Sequence, residues 1–132
     1  SKVAAVVGVG DTDYRTDYAR VRAGEAPYDG YGYGALALQR ALDDAGLQRS
    51  DIDGLIVGPT TAHERSGEVY GINARWGGQE DAMNAVIHAS MAIACGMAEV
   101  VACVYGFNQR SGGVQYGGAD AMGGLRCEPQ QA

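Results

Sequence analysis

Gln79-Glu-Asp-Ala-Met-Asn-Ala-Val-Ile-His-Ala-Ser-Met-Ala-Ile-Ala-Cys95 runs directly into Gly96-Met-Ala-Glu-Val-Val-Ala-Cys-Val-Tyr105. Between Ala82 and Ala94 almost every turn carries Ala, Met, Val or Ile on all sides. A helix without a polar face is buried nearly all round. The run falls short of the ~20 apolar residues of a membrane span, so a core helix over Gln79 to Cys95 is expected. Gly96 closes it, and Glu99 to Tyr105 reads as a strand.

Upstream, Leu55-Ile56-Val57 is a second short apolar run, ended by Gly58-Pro59. Ala35 to Ala45 is a helix, with Leu38, Ala41, Leu42 and Ala45 at i, i+3, i+4 and i+7. Gly46 suits its C-terminal turn, because glycine enters the left-handed region without a Cβ clash. Ser50 is placed to cap a turn through Asp53. Val3-Ala-Ala-Val-Val-Gly-Val9 reads as a first strand, buried on both faces as in a parallel sheet. The residues between are polar and Gly/Tyr-rich. Asp17 to Ala23 is expected as a short helix, Gly24 to Gly34 as a loop, and Glu68 to Asn73 as a helical turn. The order strand-helix-strand-buried helix-strand indicates an α/β layered fold.

The chain has 132 residues, 10 Lys+Arg against 16 Asp+Glu, and a net charge of −6. That acidity excludes a general nucleic-acid binder, which needs a basic face, and no run of the sequence suits a membrane. Cys95, Cys103 and Cys127 form no CxxC, so a disulfide scaffold and a zinc ribbon are disfavoured and a cytoplasmic location fits. His63 and His88 are too far apart for a helical metal pair. Gly8-Val9-Gly10 follows a strand, but Asp13 stands where a dinucleotide fingerprint needs its third glycine. Gly117 to Gly124 has no Lys-Ser/Thr and is no P-loop.

The site candidates follow from residue chemistry. Glu80 and Asp81 complement the positive end of the buried helix. His88 reads as a hydrogen-bonded core histidine, and Cys95 and Cys103 as inert core thiols. Tyr31 and Tyr33 line either a ligand site or a subunit interface.

Ala92-Ile-Ala-Cys-Gly-Met-Ala-Glu-Val-Val101 resembles a thiolase-superfamily signature. Val3 to Tyr14, Ala41 to Leu47 and Ser50 to Gly58 are similar to the first strand, first helix and second strand of the sterol-carrier-protein, lipid-transfer type. The resemblance covers roughly residues 3–106. It implies that residues 1–106 form the N-terminal half of a thiolase-like fold, with a Gly-rich region at 107–132 and a longer parent protein. In whole members, two similar halves pack around two buried helices. Thiolases carry a nucleophilic Cys at the start of this helix; counting back from Gly96, that position is Gln79. An amide forms no acyl-enzyme, so thiolysis by that route is not expected.

Tyr105 to Ser111 with Gly113 to Gly124 is similar to the aldolases of this superfamily, which cleave a steroid β-hydroxyacyl-CoA by retro-aldol chemistry. The resemblance implies an acyl-CoA substrate and no cofactor beyond the CoA it carries. It also implies a homodimer through Glu99 to Tyr105 and a small zinc-ribbon/OB-type partner protein. Gln79 is the expected oxyanion or water-positioning residue, Tyr31, Tyr33 and Gln79 the expected substrate contacts, and the base is expected outside this chain. A non-catalytic acyl-CoA-binding or scaffold subunit of the same superfamily is the alternative. An unrelated α/β domain that binds a metabolite in its Gly-rich loops is a third reading.

Overall fold

The computed structural model describes residues 3–108. The Gly-rich motifs from 113 onward and Cys127 lie outside them. Helices α1 (Tyr14–Arg22) and α2 (Gly30–Ala45) precede strand β1 (Gly54–Val57). Helix α3 (His63–Tyr70), strand β2 (Trp76–Gln79), helix α4 (Ala82–Ala94) and strand β3 (Val101–Val104) follow. The strands form one parallel sheet in the order β2-β1-β3.

Strand β1 is the interior strand, and all four of its residues are buried. Its side chains alternate between two cores. Leu55 and Val57 pack with Leu38, Leu42, Tyr70 and Val104 under α2 and α3. Ile56 packs with Ala85 and Ala89 of α4, with Trp76 and Val101 beside them. Burying side chains of this size contributes about 1.5–3 kcal/mol each. Helices α2 and α3 therefore cover one face of the sheet and α4 the other, a mixed α/β arrangement around a small parallel sheet.

Asp53 ties together the starts of all three strands. Its carboxylate accepts the Glu99 and Val100 N–H groups at 3.0 and 2.9 Å, at the entry to β3. The same carboxylate pairs with Arg75 at 3.0 Å, at the entry to β2. Partial burial works against the charge. The Val100 and Glu99 N–H groups and the Arg75 guanidinium outweigh it and hold the carboxyl below the usual carboxylate range.

Several expectations are corrected. Val3 to Val9 forms no strand among the described residues, and Val3, Val6, Val7 and Val9 are exposed. It lies instead along α2, where Gly8 and Gly10 approach the Ala41 and Ala37 carbonyls. Apolarity predicts burial, but a strand exists only where a neighbour supplies the hydrogen-bond ladder. The expected loop before Gly34 is the first turn of α2. Asp29 caps it by accepting the Gly32 N–H at 2.8 Å. A glycine is required at its start because a Cβ on Gly30 would lie 2.7 Å from the Gly106 carbonyl oxygen. Helix α1 begins earlier than expected, with Asp13 as its cap. Helix α3 replaces the expected turn at Glu68 to Asn73. Ser50 lies inside a short 3-10 turn, Arg49–Asp51, rather than capping it.

The largest correction concerns α4. Ala85, Ala89 and Ala92 are buried against the sheet, but Met83, Val86, Ile87 and Met91 are 50–76% exposed. The helix lies on the sheet through its alanine face, which permits close approach. The larger apolar side chains face away, uncovered by any described residue. The expectation of burial on all sides is not met among the described residues.

Candidate functional site

Three helices start at the C-terminal edge of the sheet, where parallel α/β sheets present their ligand sites. Gly30 of α2 touches Gly106, just beyond β3. Helix α3 follows the loop after β1, and α4 follows the end of β2. Each helix start carries N–H groups without helical partners. Asp29 serves α2, and Asp81 serves α4 by accepting the Asn84 N–H at 2.9 Å. Helix α3 has no such side chain, because its N-cap residue is Ala62.

Two of the expected site residues instead bond the two N–H groups that precede those an N-cap side chain serves. The Tyr31 hydroxyl oxygen accepts the Ala62 N–H at 2.9 Å, and Gln79 Oε1 accepts the His63 N–H at 3.2 Å. Tyr31 and Gln79 are thus brought together at one helix N-terminus. Arg65 lies over the Tyr31 ring, 5.3 Å from its centroid. Tyr33 is placed differently. It is buried, gives its hydroxyl proton to Asp17 at 2.7 Å and meets Tyr28 edge-on.

Gln79 is the last residue of β2, not the first turn of α4, which opens after Asp81. Its side chain points to α3, as does the position of a Cβ on Gly77, 2.6 Å from His63 Nε2. His63 Nε2 lies 2.9 Å from the Leu55 carbonyl oxygen. A carbonyl only accepts, so Nε2 carries the proton. The Thr60 hydroxyl donates to the Gly106 carbonyl at 2.6 Å. Two more hydroxyls nearby, Thr61 Oγ1 and Tyr70 Oη, are buried without a hydrogen-bond partner among the described residues. Ser66 gives its proton to the Ala62 carbonyl, and its oxygen is a polar neighbour of the Tyr70 hydroxyl without hydrogen-bond geometry. Burial pushes the Tyr70 hydroxyl above its ordinary pKa, against the smaller opposing pull of Ser66.

On the α4 side, a cavity of about 140 Å³ is bounded by Ile56, Trp76, Gly77, Gly78, Gln79, Glu80 and His88. Glu80 does not serve the α4 dipole. Its N–H donates to the Val57 carbonyl, and its carboxylate pairs with His88 Nδ1. His88 is hydrogen-bonded as expected, but its side chain is 47% exposed, so it is no core residue. Cys95 and Cys103 are free thiols on exposed residues rather than core residues. Partial desolvation by the surrounding protein, together with the Glu80 charge, still pushes the Cys103 thiol up. That keeps it protonated and a poor nucleophile. No cluster of three His, Cys, Asp or Glu side chains suited to a metal occurs among the described residues. No helix among them is long and apolar enough to cross a membrane.

Sequence reasoning missed β2, His63 as an anchor, and the Thr61 and Tyr70 hydroxyls. Strand β2 reads Trp76-Gly-Gly-Gln79, and its two glycines conceal the alternation that marks a strand.

No family model matches the chain. It is 37% identical over 125 residues to a steroid side-chain-cleaving aldolase from Thermomonospora curvata, covering 86% of this chain and 29% of that protein. It is 36% identical over 117 residues to a 17-hydroxy-3-oxo-4-pregnene-20-carboxyl-CoA lyase from Mycobacterium tuberculosis, covering 83% and 28%. The solved structure of an Ltp2-ChsH2(DUF35) aldolase superposes with a TM-score of 0.69 at 32% identity, over 90% of this chain and 31% of that one. The chain therefore spans less than a third of the length of the curated relatives it matches.

Proposed function

We propose that this chain is the N-terminal part of a thiolase-like aldolase subunit that cleaves a steroid β-hydroxyacyl-CoA without a covalent cysteine intermediate. The observation that carries the proposal is its 36–37% identity to proteins named as an aldolase and a carboxyl-CoA lyase. The position of Gln79 supports it. The sheet edge presents an amide where the superfamily resemblance places a thiolate, and retro-aldol cleavage needs no nucleophile.

In that reaction a base takes the proton of the β-hydroxyl group. The C–O bond becomes a carbonyl as the Cα–Cβ bond breaks, and its electron pair passes into the thioester enolate. Protonation at Cα then releases the shorter acyl-CoA. The protein's task is to supply the base and to hold the enolate oxygen with hydrogen-bond donors. Gln79 is the donor proposed from this chain, and Tyr31 flanks it. Tyr33 is proposed as part of the wall rather than as a polar contact. The base is assigned outside this chain, to the rest of the longer protein.

The open face of α4 fits this reading. Residues 1–106 form one half of the layered fold, and the uncovered Met83, Val86, Ile87 and Met91 pack against the other half of the longer protein. The Glu99 to Tyr105 segment contains β3, an outer strand of the sheet. An outer strand this apolar needs cover, and we assign it to pairing with a second copy. The structural neighbour is named for two components, Ltp2 and ChsH2. A small zinc-ribbon/OB-type acyl-CoA-binding protein is the corresponding partner here. No cofactor is required besides the CoA of the substrate, and the proposed location is cytoplasmic.

The test is incubation of the full chain and its partner with a 17-hydroxysteroid bearing a 20-carboxyl-CoA thioester. The expected products are the 17-ketone and the shorter acyl-CoA, insensitive to iodoacetamide. Acyl-CoA binding without cleavage would assign the protein to the non-catalytic reading.

A further inference from the structure

We infer that the first N–H of α3, on His63, fixes the Gln79 side chain as a hydrogen-bond donor, so that α3 is the positioning element of the acyl-CoA site. The inference rests on the role proposed for Gln79 and goes beyond it in direction and cause.

A glutamine amide can present either its oxygen or its NH2 group, and a half-turn about its last bond exchanges them. Free in solution, neither is preferred. Here the neighbour is a backbone N–H, which can only donate, at 3.2 Å from Oε1. The oxygen is thereby committed, and Nε2 is directed away from α3. A residue that could have accepted from substrate is turned into one that gives.

The surroundings keep it so. His63 is the first residue of α3, so its N–H has no partner within the helix and lies short of the N–H groups that an N-cap side chain serves, leaving it for Gln79. The positive end of the α3 dipole polarises the amide carbonyl, which strengthens Nε2–H as a donor. The His63 ring is pinned to the Leu55 carbonyl, so the helix start cannot drift from the strands. Gly77 lets β2 come this close: a Cβ there would lie 1.9 Å from the Leu55 oxygen. A donor held in advance, rather than recruited during reaction, is what a developing thioester enolate requires.

A purely structural Gln79 would make the same contact, so the experiment separates acceptor from donor. Gln79→Glu keeps an oxygen for the His63 N–H but removes the donor. His63→Pro removes the N–H, at the first helical position where proline is well tolerated. Ala62 already has ψ 135°, as a residue before proline prefers. His63→Ala removes the ring and keeps the N–H. The variants are made in the full chain with its partner, and kcat and KM for the β-hydroxyacyl-CoA are measured beside thermal melts.

The expected result is a loss in kcat on the order of 100-fold for both Gln79→Ala and Gln79→Glu. His63→Pro is expected to lose at least ~10-fold, more than His63→Ala, because a misplaced donor forfeits much of its effect. Combining His63→Pro with Gln79→Ala should add nothing to the loss from Gln79→Ala alone. Full activity in Gln79→Glu would overturn the inference, and so would equal losses in the two His63 variants or losses that multiply in the double variant. Should His63→Pro not fold, Gln79→Glu decides, because it leaves the α3 backbone intact. An unchanged rate in Gln79→Ala is a different failure: it removes Gln79 from the site, and the inference with it.

Discussion

The two ends of the parallel sheet are built on opposite plans. At the N-terminal end one carboxylate, Asp53, reaches the starts of β2 and β3 from just before β1, with N–H donors and a guanidinium around it. At the C-terminal end three helices start together, two hydroxyls are buried without partners among the described residues, and one helix is capped by side chains from elsewhere in the chain. The first arrangement is paired in every direction and serves stability. The second leaves buried hydroxyls unspent, which costs stability and suits a place where a ligand binds. A division of this kind accords with the general location of ligand sites at the carboxyl ends of parallel strands.

The comparison can be broken most directly at Asp53. Asp53→Ala leaves the Glu99 and Val100 N–H groups and Arg75 without their acceptor, and should cost about 3 kcal/mol in urea denaturation of the full chain. Asp53→Asn keeps one accepting oxygen and should cost less, about 1–2 kcal/mol. A loss no larger than that from an exposed substitution would show that the N-terminal end is not the stabilising one. The pH dependence carries a sign. The folded-state carboxyl lies below its ordinary value. Its contribution is therefore complete above the unfolded-state pKa, about 3.9 for Asp. It is lost as pH falls through the lower folded value. Acid melts should show Asp53→Asn and wild type converging below about pH 4, where the wild-type advantage disappears.

The sequence announced the central parts of this architecture. Leu55 to Val57 as an interior strand, the Leu38/Leu42 stripe and Gly46 in the left-handed region at the end of α2 all reflect local patterns that packing reinforces. The failures lie where a distant part of the chain decides. Val3 to Val9 has the composition of a strand but finds no ladder among the described residues. The glycines at 30, 32 and 34 look like a loop, yet α2 begins there: Asp29 caps it, and Gly30 is a glycine because the backbone at Gly106 comes too close for a side chain. Helix α4 carries the apolarity of a fully enclosed helix, but the described residues cover only its alanine face. Of the site, Tyr31 and Gln79 were legible as residues. Their meeting at α3 was not, because α3 is mostly polar and β2 is half glycine.

Gly34 offers a smaller test of how tightly the C-terminal end is packed. A Cβ there would lie 2.1 Å from Tyr70 Oη and 3.0 Å from Cζ, and Tyr70 is only 2% exposed. Gly34→Ala should therefore destabilise by about 1–3 kcal/mol despite the better helix propensity of alanine. Removing the oxygen relieves the shorter contact but not the 3.0 Å one. The Gly34→Ala/Tyr70→Phe pair should accordingly recover about 1 kcal/mol as a coupling energy in a double-mutant cycle. Strict additivity would mean that the ring moves freely, and that the end is looser than its burial indicates.

The smallest effects should have the opposite sign. Tyr70→Phe and Thr61→Val each delete a hydroxyl that is buried and unpaired among the described residues, with little change of shape. Folding leaves such a group without the hydrogen bonds that water gave it, so its removal should be neutral or stabilise by up to about 1 kcal/mol. The melting temperature of each variant decides the matter, and the steady-state rate separates two ways of being wrong. A drop in stability of ~1 kcal/mol or more, the usual net worth of a hydrogen bond, would mean that the hydroxyl does have a partner, Ser66 for Tyr70 or chain outside residues 3–108. The two ends would then be equally well satisfied, and the contrast between them would fail. Unchanged or raised stability with a fall in kcat/KM would show instead that the hydroxyl is reserved for the substrate, which ties the unspent polar groups of this end to function.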